Sequence, residues 1–113
     1  PPILYSMPVR SVRRRYLWAH IESETNQTED TLHKAIDYKI HFLYGVKGAT
    51  EMNYRLIEFY PKEKNMIIRC NHNRLNEMRA VLAHISEIND APVRIDVKLV
   101  SGTIKTLKKK AGF

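Results

Sequence analysis

An α+β fold, with one antiparallel sheet carrying two helices on a single face, is the class this sequence predicts, and three observations predict it. Apolar residues alternate singly in the stretches Arg13 to Glu22 and Val93 to Val100, as half-buried strands require. Two internal stretches instead space their apolar residues at three and four, as amphipathic helices do. Between those helices a run rich in aromatic and branched residues turns back at a proline. The order strand, helix, strand, strand, helix, strand is the split β-α-β arrangement.

The first twelve residues hold three of the five prolines and no sustained period, so they are expected to form an irregular arm, with a single domain over 13–110. In the first strand Leu17, Ala19 and Ile21 should point one way and Arg14, Tyr16, Trp18 and His20 the other. After the polar stretch Ser23 to Gln27, Thr28 is placed to cap a helix with Glu29 and Asp30 in its first turn, where carboxylates complement the helix dipole. Leu32, Ala35, Ile36, Ile40 and Leu43 form its apolar stripe, and Gly45 or Gly48 is positioned to stop it. An extended stretch is then expected from about Ala49 to Tyr60, a turn over Pro61 to Asn65, and a strand from Met66 to Cys70. Asn71 or Asn73 can cap a second helix whose stripe is Leu75, Met78, Val81, Leu82, Ile85 and Ile88, ended by Asn89-Asp90. The last strand begins near Pro92 and keeps Val93, Ile95, Val97 and Leu99 on the core side, then hands the chain through Gly102 to a short lysine-rich tail. This topology leaves the second face of the sheet uncovered.

Charge narrows the range of partners. With 19 Lys and Arg against 12 Asp and Glu, the 113 residues carry a formal charge of +7, which points to a polyanion rather than a small-molecule substrate. The chain is long enough for one modest core and too short for a deep cleft between domains. Its single cysteine, Cys70, excludes an intramolecular disulfide and favours a reducing compartment. No run of about 18 apolar residues and no signal-peptide layout is present, so a soluble, cytoplasmic protein without membrane contact is expected.

The basic residues gather in two runs, Arg10, Arg13, Arg14 and Arg15 at the start and Lys105, Lys108, Lys109 and Lys110 at the end. If the first and last strands are neighbours, the runs merge into one patch that grips phosphate without choosing sequence. The uncovered face would add Tyr16, Trp18, His20, Arg69, Arg94 and Lys98. Rings among guanidinium groups suit single-stranded nucleic acid, since rings stack on bases and cations neutralise phosphate. The alternative is that Trp18 and Tyr16 pack beneath the arm or a protein partner. The third strand, Asn65-Met66-Ile67-Ile68-Arg69-Cys70-Asn71, lacks the glycine-and-aromatic signature of a base-stacking RNA-recognition motif.

Other constellations carry less. His33, Asp37 and His41 share one helix face and include metal-ligand types, but that face lies opposite the apolar stripe and is expected to be solvated. Cys70 fits a small core position, and no catalytic centre is legible. On the second helix Asn76, Ala80, Ala83 and Glu87 form a stripe away from the core stripe. There a protein partner could approach the backbone closely, unless the alanines serve only as helix formers.

Three blocks resemble the archaeal ribonuclease P protein component 2 family and its eukaryotic counterparts in ribonuclease P and ribonuclease MRP. They are Arg14-Arg15-Tyr16-Leu17, then Ile67-Ile68-Arg69-Cys70-Asn71 with Glu77-Met78-Arg79-Ala80-Val81-Leu82-Ala83, and above all Val93-Arg94-Ile95 through Val100-Ser101-Gly102-Thr103-Ile104-Lys105. The resemblance implies a ferredoxin-like, RNA-recognition-motif-like sandwich with a short C-terminal basic helix. It also implies a subunit of the ribonucleoprotein that removes the 5′ leader of precursor tRNA. Hydrolysis would be performed by the RNA subunit with bound magnesium, the protein itself holding no cofactor or metal. The implied partners are ribonuclease P RNA and a larger TIM-barrel subunit, component 3, in a dimer of heterodimers, with precursor tRNA engaged indirectly. The resemblance does not assign individual RNA contacts; from the basic clusters the expected phosphate contacts are Arg13, Arg14, Arg15, Arg69, Arg74, Lys98, Lys105, Lys108, Lys109 and Lys110, with Trp18 either stacking on a base or buried beneath a neighbour. Asn76, Ala80, Ala83 and Glu87 are assigned as the partner-facing stripe. The competing expectations are a protein-interaction scaffold with little RNA contact and, from the histidine face alone, an autonomous nuclease.

Overall fold

The structure, a computed structural model, describes residues 13–112; the expected arm over 1–12, with Arg10, lies outside the described residues. In chain order it contains β1 (Arg14–Ser23), α1 (Glu29–Met52), β2 (Arg55–Tyr60), β3 (Asn65–Asn71), a 3-10 turn (His72–Arg74), α2 (Leu75–His84), β4 (Glu87–Ile88), β5 (Ala91–Ser101) and α3 (Ile104–Ala111). The sheet order is β2-β3-β1-β5-β4, every pairing antiparallel. Stripped of the two-residue β4, this is the ferredoxin-like split β-α-β fold, with β3 and β1 side by side at its centre and β5 on the other side of β1.

Alternation in β1 and β3 sends Leu17, Ala19, Ile21, Met66, Ile68 and Cys70 to one face of the sheet. There they pack against Leu32, Ile36 and Ile40 of α1 and Met78, Val81 and Leu82 of α2, all essentially buried. Each such aliphatic side chain contributes about 1.5–3 kcal/mol on leaving water, so this layer dominates the fold's stability. Burial also pushes the Cys70 thiol up to about 11, which makes it an inert core residue rather than a nucleophile.

Several boundaries differ from the sequence expectation, each for a local reason. Thr28 caps α1 by accepting from the Thr31 amide at 3.1 Å, but the helix does not end at Gly45 or Gly48. It breaks at Gly45, where φ is 72° and ψ −173°, and resumes to Met52. Only glycine adopts that backbone readily, and the resumed turn carries Met52 into the core at 1% exposure. The second extended segment therefore begins at Arg55 rather than Ala49. The second helix stops at His84. Ile85 is its C-cap, and Ile88 reaches the core from β4 instead of from the helix. Asn89 and Asp90, with φ of 52° and 66°, form the two-residue turn of a β4–β5 hairpin, since Ile88 pairs with Ala91.

The last strand holds the larger correction. Trp18 pairs with Leu99 but Ala19 pairs with Val97, so Lys98 is the extra residue of a β-bulge. The bulge flips the alternation: Leu99 leaves the core side for the opposite face, and Val100 takes its place against the main core. A second bulge in β2, between Leu56 and Glu58, puts Glu58 on the second face beside Ile57 and returns Phe59 to the main core. The second face of the sheet is not uncovered: α3 folds back onto it over Trp18 and Ile67.

Candidate nucleic-acid interface

The last helix, α3, brings the C-terminal lysines onto the second sheet face. Gly102 frees the chain from β5, and the Thr103 hydroxyl accepts from the Thr106 amide at 3.2 Å, starting the helix within two residues of the sheet. Leu107 has no exposed surface and sits on Trp18 and Ile67, with Tyr16, Ile57, Tyr60, Leu99 and Ala111 around them. One leucine per two turns is a narrow anchor, and it leaves the rest of α3 to solvent. Lys105, Lys109 and Lys110 are exposed. Lys108, Lys109 and Lys110 fall in the last turn, where cations complement the negative end of the helix dipole.

Lys108 is tied down. Its Nζ donates to Glu58 Oε2 on β2 at 3.1 Å, and the Tyr60 hydroxyl donates to the other carboxylate oxygen. The hydrogen bond from Tyr60, then that from Lys108, holds the Glu58 carboxyl below its ordinary range, while the bond to Glu58 raises Lys108. Burial, then the Glu58 bond, raises Tyr60. The three side chains fix the free end of α3 against the β2 edge of the sheet.

Trp18 is only 6% exposed, stacked with Tyr60 at 5.7 Å between ring centroids and covered by Leu107. Of the two roles expected for it, base stacking is displaced by burial. Among the described residues its covering comes from the chain's own C-terminal helix.

The two basic runs converge as the strand order requires. Tyr16 pairs with Ser101, so Arg14 and Arg15 end beside the Ser101-Gly102 exit toward α3. Arg15 Nη1 donates to the Arg14 carbonyl at 3.1 Å and lies 3.6 Å from where a Cβ on Gly102 would be. Arg14 and Arg13 are exposed, Arg69 is half-buried on the α3 side of β3, and Lys98 is exposed at its bulge. Arg94 is paired with Asp96 at 3.0 Å, and His20 binds Asn65 at 2.9 Å with Glu22 nearby at 3.5 Å. Arg74 stands apart from this group. It lies at the start of α2, on the helical layer, where its guanidinium pairs with Glu51 of α1 and with Glu77 at 3.3 Å.

The expected partner stripe is shortened. Asn76 and Ala83 are exposed and Ala80 half-buried on α2, but Glu87 belongs to β4, because the helix ends before it. On α1, the His33 ring contacts the Tyr54 hydroxyl at 3.2 Å and His41 caps back onto the Asp37 carbonyl at 2.9 Å. Among the described residues no group of three or more His, Cys, Asp and Glu side chains is placed to hold a metal.

Sequence reasoning missed two groups. Arg55 opens β2 directly opposite Arg69, a position hidden because the segment was expected to start six residues earlier. Tyr38, Phe42 and Val46 are 66%, 68% and 75% exposed on α1, with the first two rings stacked and Lys39 over Phe42 at 5.3 Å. Their spacing of four was visible as an apolar line off the main stripe.

The Rpp14/Pop5 family model matches residues 15–112. Ribonuclease P protein component 2 of Pyrococcus horikoshii is 32% identical over 103 residues, covering 91% of this chain and 86% of that protein. The protein of the same description in Methanosarcina barkeri is 29% identical over 104 residues, covering 92% and 76%. A chain in the structure of yeast ribonuclease MRP superposes with a TM-score of 0.64 at 12% identity, covering 88% of this chain and 92% of that one, a likeness of fold. Since the family match runs from Arg15 of β1 past the end of the α3 helix, the chain belongs to the Rpp14/Pop5 family.

Proposed function

We propose that this chain is an RNA-binding protein subunit of a ribonuclease P ribonucleoprotein, helping its RNA remove the 5′ leader of precursor tRNA. The observation that carries the reading is the docked helix α3. It sets Lys105, Lys109 and Lys110 in solvent on the same side of the sheet as Arg14 and Arg69, in a chain whose relatives are named ribonuclease P protein component 2. Lysines on a rigid helix lose less freedom on meeting phosphate than the same lysines on a frayed tail. Hydrolysis is assigned to the RNA and its magnesium, the protein supplying charge neutralisation and holding no cofactor of its own. A cytoplasmic setting and a TIM-barrel protein partner, in a dimer of heterodimers, complete the reading.

Replacing Lys105, Lys109 and Lys110 by glutamine tests it. RNA affinity should fall, and the slope of log K against log salt should shrink by up to about 0.9 for each phosphate no longer gripped. An unchanged slope would count against direct RNA binding. The exposed Tyr38, Phe42 and Val46 support a second reading, a protein-interaction scaffold with little RNA contact, because an apolar line of this kind is what a protein partner covers. A holoenzyme in which Phe42→Ser disrupts assembly while the lysine variant behaves as wild type would favour it.

A further inference from the structure

We infer that Arg55 and Arg69, with Arg14 beside them, form a phosphate clamp on the α3 side of the sheet, a defined grip on the RNA backbone rather than a diffuse basic surface. The inference rests on the RNA-binding reading and deepens it. Arg55 and Arg69 are directly paired across β2 and β3, on the strand face that also carries Ile67. Opposite residues on one sheet face have Cβ atoms only about 5 Å apart, and like charges there repel. On the other side of Arg69 the cross-strand partner is Tyr16, and Arg14 pairs with Asn71, one diagonal step away. Among the described residues no carboxylate pairs with Arg14, Arg55 or Arg69. The acidic groups of the neighbourhood are engaged elsewhere, Glu58 by Lys108 and Tyr60, and Glu51 and Glu77 by Arg74. Arg69 Nε is buried and has no hydrogen-bond partner in the protein. Two arginines set opposite each other across the strands, with no carboxylate paired to either, form a receptor for an anion whose oxygens accept from both forks. The neighbouring exposed lysines of α3 make that anion part of a polyanion, so the ligand class is an RNA phosphodiester, not the carboxylate of a protein side chain.

The test uses the full chain. Thermal unfolding is followed with and without inorganic pyrophosphate at matched ionic strength, for wild type and for Arg55→Gln and Arg69→Gln. RNA binding is then measured for the same proteins, for Arg55→Lys and for Lys105→Gln/Lys109→Gln. Pyrophosphate should raise the melting temperature of wild type by a few degrees and leave the two glutamine variants unmoved. Arg55→Gln should be no less stable than wild type in low salt without the anion, because it relieves the like-charge pair. Its RNA affinity should drop on the order of tenfold, and Arg55→Lys should lose nearly as much, since lysine lacks the two-pronged fork. Equal pyrophosphate shifts in wild type and Arg55→Gln would overturn the clamp, as would unchanged RNA affinity in Arg55→Gln. If the α3 lysine variant still weakens binding in that case, RNA binding stands without the clamp; if neither variant weakens it, both fail. Loss of binding to a TIM-barrel protein partner with RNA affinity intact would also overturn it, by showing that the arginines meet protein carboxylates.

Discussion

Replacing Leu107 with alanine should detach α3 from the sheet while leaving the rest of the domain folded. Eight residues are too few for a helix to persist alone in water, so α3 exists because it is docked. Its docking rests on one fully buried side chain, Leu107, aided by the half-buried Ala111. Truncation removes about 2–3 kcal/mol of transfer free energy, and a residual cavity over Trp18 and Ile67 can bring the loss toward about 5 kcal/mol. Even the lower figure raises the open fraction of α3 by roughly 30-fold, whereas the main core on the other face keeps its packing intact. Trp18 is the chain's one tryptophan, so its emission reports on this interface alone. Leu107→Ala should shift that emission to the red and speed amide exchange across residues 104–111, with a second, largely preserved unfolding transition for the main core. Blue emission and slow exchange in the variant would refute the view that this leucine holds the helix down.

Three further outcomes follow from other parts of the molecule. Arg74→Met should cost no more than about 1 kcal/mol in chemical denaturation, because the ion pairs to Glu51 and Glu77 are about a third exposed, and should leave the salt slope of RNA binding unchanged. Glu58 titrates lower in the folded chain than in the unfolded one. Its contribution to α3 docking is therefore complete above the ordinary value of 4.5 and is lost as pH falls through the depressed folded value; a pH titration of Trp18 emission should show that loss in wild type and not in Glu58→Gln. Gly45→Ala should destabilise the chain by about 1–3 kcal/mol in urea, although nothing lies within 4 Å of the added methyl, because the cost is in the backbone angles.

Much of the fold was legible because periodicity reports burial, and burial was correctly read in β1, the α1 stripe and the first two turns of α2. What periodicity cannot report is a change of phase. One extra residue at Lys98 moved Leu99 to the far face, and a strict alternation gave no hint of it, since both Leu99 and Val100 are apolar. The same limit hid the role of Trp18. Its alternation with Leu17 and Ala19 correctly placed it opposite the core, but the pair Leu107 and Ala111, which packs over it, was submerged in the lysines around it. Gly45 was legible as a helix breaker and not as a kink, because resumption depends on Met52 finding space in the core, a fact of tertiary packing. The convergence of the basic ends was conditional on sheet order, and the β1–β5 pairing supplies that condition. Arg55 escaped notice because its meaning lies entirely in what sits across from it.

On the proposed reading, the docked cationic helix and the arginines beside it meet RNA directly. Hydroxyl-radical footprinting of ribonuclease P RNA, with iron-chelate cleavage reagents tethered in turn at Lys109 and at Ala83 of this chain in the reconstituted particle, tests it most directly. Strong, localised cuts are expected from position 109 and weak or no cuts from position 83 on the opposite, helical layer. Cuts from position 83 with none from position 109 would contradict it.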